Sequence, residues 1–268
     1  TTFGMLGGIF SEAIAPVFNQ YDQQYFFSGI CIIAVILIIM SIVFVKDAES
    51  HDDSELNLML ILNDIKSVLS IKQVWIAGFI GLAMFSPVQL FVTWAIRFFA
   101  DDLGVNEVSA GNIVSMIFWG TCIFAPISGW IASKVSNKKI LILTGNVLCF
   151  LGMLGVLYSA QTDALSAMAL MLMIGIGLSA QPLVFVYSSR QVSLHLTATA
   201  VAATNFIVNL SSILQPYIGS QLISVSSQTY SLESWRAALC IIPILLFINF
   251  LAIYFLKELP YDNDDKDI

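Results

Sequence analysis

The chain has 268 residues, of which 58% are hydrophobic and only 11% are charged. Soluble domains carry about 25% charged residues, so this chain has too few charges to cover a water-facing surface, and an ordinary soluble domain is excluded. The formal net charge of -7 comes mainly from a few acidic clusters, while the 11 Lys and Arg residues are dispersed and lack the basic concentration that nucleic-acid binding needs.

Eight segments are candidates for membrane-spanning helices, which need about 20 mainly apolar residues. Each must be helical, because backbone polar groups in lipid have to be satisfied within the segment. In chain order the segments are 1–18, 25–45, 74–99, 108–132, 140–160, 164–188, 198–223 and 236–256. The sequence therefore predicts an all-α membrane protein with about eight transmembrane helices.

The first segment differs from the second in its polar content. It follows Thr1 directly, without a basic region or a signal-peptide pattern, and we expect the chain to be a fragment that lacks upstream spans. Glu12 and Pro16 interrupt this segment, whereas the second contains no charged residue. The second segment is therefore the clearest span of the chain, and the first is the weakest.

A polar stretch at 46–73 divides the chain. It opens with an acidic run, and apolar residues recur at near-helical spacing in its second part. We interpret it as a linker that carries a helix lying on the membrane surface, with a partner-binding helix as the alternative. The other six segments follow within 74–257, and 258–268 is a short polar tail.

The cations fall mainly on one side of the predicted membrane. Counted over eight spans, nine of the 11 Lys and Arg residues lie in alternate loops, namely Lys46, Lys66, Lys72, Lys134, Lys138, Lys139, Arg190, Lys257 and Lys266. Loops rich in Lys and Arg stay in the cytoplasm. The pattern therefore predicts a cytoplasmic linker, a cytoplasmic tail and cytoplasmic termini.

A short basic turn joins the fourth and fifth segments. Its sequence, GWIASKVSNKK, resembles the Gly-x-x-x-Asp-Arg-x-Gly-Arg-Lys-Lys motif that the major facilitator superfamily of transporters carries between its second and third spans, with a weaker copy between the eighth and ninth. The glycine and three cations match, and a serine stands where the family has aspartate. The positions concerned are Gly129, Ser133, Lys134, Lys138 and Lys139.

The resemblance implies a major facilitator type helical bundle, with about eight of an expected twelve spans present. On this basis 1–45 is the end of the N-terminal bundle and 74–257 is a six-helix C-terminal bundle. The segment 181–219 also resembles bacterial members related to phagosomal amino-acid transporters. The implied location is the bacterial inner membrane, and the complete protein is expected to function as a monomer.

Polar side chains recur on the four segments that would line the cavity of such a transporter, the seventh, eighth, tenth and eleventh of the family. The substrate-binding candidates are Gln89, Asn112, Trp119, Gln181, Asn205 and Asn209. They either hydrogen-bond between packed helices or line a water-filled cavity that binds a polar solute. Asn146 and Asn249 lie on the other two segments.

Charged residues inside the segments are scarce, and intramembrane charges usually mark ion pathways. Glu12 and Arg97 are the candidates for ion coupling, although Arg97 is near enough to the outer surface to anchor its helix there. The sequence has no phosphate-binding loop, catalytic set or metal-ligand constellation. We therefore expect no enzyme activity, no metal and no cofactor, and proton coupling stays open.

These observations predict a secondary active transporter that moves a small polar solute through the bilayer by alternating access. An amino acid is the specific expectation, from the subgroup resemblance. Export of drugs or other amphiphiles is the alternative, because Phe85, Trp94, Phe118 and Trp119 could form a greasy cavity.

Overall fold

The computed structural model describes residues 2–18, 23–44, 58–159, 163–223 and 231–257, and every regular element in them is a helix. The first part of the predicted linker, 46–57, and the predicted tail, 258–268, lie outside the described residues. The expectation of an all-α protein is confirmed for the part that is described.

The described helices follow the predicted segments closely. They are α1 (Thr2–Phe18), α2 (Gln23–Phe44), α3 (Leu58–Leu69), α4 (Lys72–Leu103), α5 (Glu107–Lys134), α6 (Lys138–Tyr158), α7 (Ala164–Ser189), α8 (Leu194–Leu222) and α9 (Leu232–Phe255). By length and composition, α4 to α9 can each cross a membrane, and Ser28–Phe44 within α2 is a shorter apolar helix.

Polar side chains cap several helix starts, which explains where these helices begin. Asn106 accepts from the Ser109 N–H at 2.8 Å before α5, and Asp163 accepts from the Ser166 N–H at 2.9 Å before α7. Such caps satisfy backbone N–H groups that have no partner within the helix. The hydrogen bonds from Ser166 also hold the pKa of Asp163 below its ordinary value.

Four of the long helices depart from regular α geometry. The break in α9 is a single residue, Cys240, and the other three have longer irregular segments. In α4 the segment Pro87–Val92 is π-helical, in α7 a turn precedes the short helix Leu183–Ser189, and in α8 the segment Leu210–Leu214 is a 3₁₀-helix. Proline removes one backbone donor and loosens the ladder around it, and both Pro87 and Pro182 lie at these breaks. These irregular helices carry most of the predicted binding residues.

Glycine allows α7 to approach α5 and α6 at backbone distance. A Cβ atom placed on Gly175 would lie 2.1 Å from the Ile117 carbonyl oxygen, and one on Gly145 would lie 2.5 Å from the Gly177 carbonyl oxygen. Helices in lipid associate through such close packing, because burial of apolar surface does not drive them together there. Thr121 adds a hydrogen bond of 3.0 Å to the Gly175 carbonyl.

One end of the bundle carries Lys72, Lys138 and Lys139, and we call it the lysine-rich end. Polar contacts there join the starts of α4 and α6 to the end of α9. Lys139 Nζ donates to the Tyr254 and Leu256 carbonyls at 2.8 and 3.1 Å. Gln73 donates to the Phe255 carbonyl at 3.3 Å and accepts from the Lys257 N–H at 3.0 Å. The end of α9 is thereby held by side chains from two other helices.

The opposite end of the bundle carries Asp101, Asp102 and Glu233, and we call it the acidic end. Polar contacts there join the ends of α4 and α6 to the start of α9. Arg97 pairs with Asp101 at 3.2 Å, and the Trp235 indole N–H donates to Asp101 at 3.3 Å. Arg236 donates to the Leu157 carbonyl at 2.7 Å. Because α4 and α6 start at one end and α9 starts at the other, their directions agree with the predicted alternation of the spans.

The first three helices differ in how much they pack. In α1, Gly8 lies against the Phe118 ring of α5, whose atoms would come within 2.5–2.9 Å of an added Cβ. In α2, all residues from Ile30 to Phe44 are exposed, as a lipid-facing helix would be. In α3, Val68 is buried beside Val74 and Ala200, while the placement of this helix on a membrane surface stays a prediction.

Candidate functional site

Three of the predicted residues form a hydrogen-bonded chain between α4 and α8. The Gln89 side chain donates to Asn209 Oδ1 at 2.7 Å. Asn209 in turn donates to the Asn205 carbonyl at 2.8 Å and lies 3.4 Å from Asn205 Oδ1. Asn205 and Asn209 are one turn apart and therefore share a face of α8. We call Gln89, Asn209 and Asn205 the amide chain.

The amide chain is open to its surroundings. Asn205 and Asn209 are exposed and Gln89 is half-buried. Each carboxamide carries two donors and one acceptor, so a single hydrogen bond leaves capacity for another partner. Among the described residues, no hydrogen bond involves Gln89 Oε1 or Asn205 Nδ2. A polar solute could therefore bind here without breaking the buried packing of the bundle.

Gln215 extends the amide chain toward the acidic end, although it was not among the predicted binding residues. It donates to Thr93 Oγ1 at 3.0 Å and to the Gln89 carbonyl, and it accepts from the Trp94 indole N–H at 2.9 Å. The Gln89 carbonyl lies in the π-helical segment, and π-helical segments often occur at functional sites. Gln215 therefore supports the backbone that carries Gln89.

The sequence pattern did not place Gln215 on the same face as Asn209, because α8 changes its helical period between them. Gln215 lies six positions after Asn209, which is about 1.7 turns of an α-helix but about two turns of a 3₁₀-helix. The intervening segment Leu210–Leu214 is 3₁₀. The change of period therefore brings Gln215 onto the face of the amide chain, where a uniform α-helical projection would not place it.

The other three predicted binding residues lie apart from the amide chain. Gln181 is only 8% exposed, in the turn of α7, and its Nε2 would lie 3.5 Å from a Cβ on Gly81 of α4. Asn112 and Trp119 are exposed on α5. Among the described residues, none of the three hydrogen-bonds to the amide chain. The structure thus joins half of the predicted set.

Asn205 also borders an open groove on the lysine-rich side of the amide chain. The groove has a volume of about 490 Å³ and is lined by Phe185, Ala198, Val201, Ala202 and Asn205. Asn205 is the only one of these five lining residues with a polar side chain. The face of α8 thus changes from apolar to polar at Asn205.

The two candidates for ion coupling have different surroundings. Glu12 is half-buried on α1, one turn after Gly8, and no ion pair to it occurs among the described residues. Arg97 is largely exposed at the acidic end and pairs with the buried carboxylate of Asp101. Its guanidinium is therefore part of a helix-end network, as expected of an anchoring residue.

The loop-motif residues support the lysine-rich end of the bundle. Ser133 donates to the Trp130 carbonyl at 2.7 Å, and Lys134 Nζ lies 4.1 Å from the centroid of the Trp130 ring. Lys139 binds the end of α9, as described above. Lys138 is half-buried, and Gly129 is exposed with nothing within 4 Å of a Cβ placed on it.

A second pair of amides, Asn146 and Asn249, is completely buried between α6 and α9. Asn249 donates to Asn146 Oδ1 at 2.8 Å, and Asn146 donates to the Leu246 carbonyl at 3.1 Å. Asn249 Nδ2 also lies 3.5 Å from the Ile80 carbonyl of α4. These contacts bind helices to one another and leave no opening for a solute.

Within the described residues, six helices are long and apolar enough to cross a membrane, and such a bundle is an integral membrane protein. The chain belongs to the Major Facilitator Superfamily, whose family model matches residues 1–216 and 74–267. The resemblance seen in the basic turn is therefore confirmed at the level of the superfamily. The narrower relation to phagosomal amino-acid transporters stays a prediction.

The chain is also similar in sequence to a transport protein of Bacillus subtilis. Over 185 residues the chain is 25% identical to the "Putative metabolite transport protein YwtG" of Bacillus subtilis (strain 168), in an alignment that covers 68% of this chain and 38% of that protein. The chain therefore spans well under half of the length of this relative.

Proposed function

We propose that the chain is part of a secondary active transporter that moves a small polar solute, with an amino acid as the first candidate. Membership of the superfamily and the name of the relative support the transport role. The observation that carries the solute class is the amide chain of Gln89, Asn209 and Asn205. It places unpaired donors and acceptors on an accessible face between α4 and α8.

The chemistry of this face favours a neutral or zwitterionic solute. The amide chain, Gln215 and the groove beside Asn205 include no charged side chain. A strongly anionic solute that left water here would lose its hydration without gaining a cationic partner, which is costly. Carboxamides, by contrast, can donate to a carboxylate and accept from an ammonium or hydroxyl group.

The geometry also suggests how binding couples to movement. A solute that replaces Gln89 as the donor to Asn209 Oδ1 would break the hydrogen bond that joins α4 to α8. Both helices contain irregular segments at this level, where fewer regular backbone bonds oppose a change of shape. Rocking of the C-terminal bundle, 74–257, against an N-terminal bundle that includes 1–45 would then expose the site alternately to each side.

Coupling and placement complete the proposal. Glu12, half-buried beside the α1–α5 contact, is the candidate for proton coupling, while Arg97 anchors the acidic end through Asp101. We place the lysine-rich end in the cytoplasm of a bacterium, following the distribution of cations. The complete transporter would work as a monomer in the inner membrane, without a cofactor.

Amphiphile export has weaker support from the positions of the aromatic residues. Phe118 is only 8% exposed because it packs under α1, and the Trp94 indole is hydrogen-bonded to Gln215. Of the four aromatics that favoured a greasy cavity, Trp119 is the most accessible, at 40%. The amide chain, rather than these aromatics, is therefore the main binding feature.

The test is uptake of labelled neutral amino acids by proteoliposomes that contain the complete gene product. We expect saturable uptake that falls about tenfold in Asn209→Ala, which corresponds to the loss of about 1.4 kcal/mol. Asn63→Ala is the control, because Asn63 is an exposed amide on α3. Absence of saturable uptake for every amino acid would reject the proposed solute, and export of an amphiphilic dye would then favour the alternative.

A further inference from the structure

The groove beside Asn205 adds an apolar surface to the face of α8 that carries Asn205 and Asn209. Ala198, Val201, Ala202 and Asn205 follow helical spacing and so form one face of α8, and Phe185 of α7 forms the facing wall. A buried hydrogen bond from Thr204 to Ser188 holds these two helices together. The two walls are therefore kept at a defined separation.

The volume and the mostly apolar lining of the groove lie in the range of small-molecule sites, while its shape is shallow and open. Such sites have volumes of about 300–1,000 Å³ and are mostly apolar, with a few polar groups that set the orientation of the ligand. The groove has a volume of about 490 Å³, and Asn205 supplies its polar group. Because Asn205 also contacts Asn209, the groove and the amide chain are parts of one continuous surface.

The amide of Asn205 argues for a particular kind of occupant. A dry apolar partner, whether an acyl chain or an apolar helix face, would bury Asn205 Nδ2 without a hydrogen bond, which is unfavourable. A molecule that carries both an acceptor and an apolar group would satisfy Asn205 and fill the groove. The surface is polar at the amide chain and apolar in the groove. It therefore favours a solute that has one polar part and one apolar part.

We infer that the transporter selects solutes with a hydrogen-bonding head and a non-polar group of about the size of a leucine side chain. The head binds to Asn205, Asn209 and Gln89, and the non-polar group lies in the groove between Phe185 and Ala202. This inference rests on the proposed transport function and narrows its substrate class. The inference predicts that the transporter prefers hydrophobic zwitterions to small hydrophilic ones.

The experiment compares uptake of labelled leucine and labelled alanine by the complete protein in proteoliposomes. In Ala202→Phe the added ring fills the groove, and Ala202 is exposed, so the substitution has room. We expect leucine uptake to fall about tenfold while alanine uptake changes less than about twofold. Ala169→Phe is the matched control, because Ala169 is also exposed on a spanning helix but lies outside the groove, and both uptakes should stay unchanged.

A second variant changes the groove in the opposite direction. Phe185→Ala enlarges it, and we expect uptake of labelled phenylalanine to rise relative to that of alanine. An equal effect of Ala202→Phe on leucine and alanine, or no effect on either, would overturn the groove assignment and leave transport intact. If the unmodified protein takes up neither amino acid, the transport proposal itself fails and the inference fails with it.

Discussion

Two pairs of side-chain amides in this bundle have nearly identical hydrogen bonds and opposite surroundings. Gln89 donates to Asn209 at 2.7 Å between α4 and α8, and Asn249 donates to Asn146 at 2.8 Å between α9 and α6. The first pair is accessible, and the second is completely buried. The two pairs are therefore alike in residue type and bond length, and they differ in accessibility.

The helices around each pair strengthen this contrast. The accessible pair lies where α4 and α8 are irregular, next to an open groove. The buried pair lies in regular stretches of α6 and α9. Within the described part of the chain, Asn249 Oδ1 is the buried side-chain atom that has no hydrogen-bond partner. The buried pair thus lies in a closely packed interior, whereas the amide chain lies on an exposed face next to irregular backbone.

The largest effect is expected where the interior is most closely packed. In Gly175→Val the new side chain would collide with the Ile117 carbonyl, which lies 2.1 Å from the Cβ position. Overpacking of this kind costs about 3 kcal/mol, so we expect a large fall in the yield and melting temperature of the purified protein. Gly129→Val is the control, because the Cβ there meets nothing within 4 Å. Equal losses in both variants would contradict the packing argument.

On the accessible side, a substitution should affect transport and leave stability nearly unchanged. In Gln89→Leu, Asn209 loses a protein partner but stays open to water. We expect uptake efficiency to fall about tenfold, or about 1.4 kcal/mol, with the melting temperature almost unchanged. Initial uptake rates and thermal unfolding of the same preparations measure both quantities. A fall in stability without a change in transport would assign Gln89 to packing.

The buried pair should show the reverse behaviour. In Asn146→Leu, the buried Asn249 amide loses its acceptor, and we expect a loss of about 1 kcal/mol in the free energy of unfolding in micelles. Uptake per folded molecule should stay constant. The double variant Asn146→Leu/Asn249→Leu removes both polar groups, so it should recover part of the loss. A double variant less stable than Asn146→Leu would show that the unpaired Asn249 amide does not cause the loss of stability.

The smallest effect is expected at the lysine-rich end. Lys139→Met removes the hydrogen bonds to the Tyr254 and Leu256 carbonyls, and a cation at a helix C-terminus contributes about 0.5 kcal/mol. Amide hydrogen exchange in the last turn of α9 should become faster, while uptake changes little. Lys138→Met is the control from the same turn. Unchanged exchange in Lys139→Met would show that Gln73 alone holds the end of α9.

The spans and their boundaries could be predicted because they depend on composition and length. The predicted segment 140–160, for example, corresponds to α6 at Lys138–Tyr158, since an apolar run of that length has one stable form in lipid. The starts of α4 and α9 lie earlier than predicted, at Lys72 and Leu232, because hydropathy does not detect the polar residues of a first helical turn.

The binding candidates could be predicted less well, because helix faces were projected with a single period. Asn205 and Asn209 fell on one face as expected, whereas Gln215 joined them only through the 3₁₀ segment between. Gln181 turned inward at the break in α7 and lies against Gly81. Changes of period and helix breaks arise from local backbone bonding, which the apolar pattern does not report.

The amino-acid sequence alone determined the solvent of this protein, the number and order of its long helices, the unequal distribution of its cations and its superfamily. These properties follow from local composition, because each span must satisfy its own backbone in lipid. Only the tertiary structure decided which amides meet, which are sealed in the interior and where the apolar groove lies. Those outcomes depend on contacts between residues more than 100 positions apart, such as Gln89 and Asn209, and no local pattern encodes them.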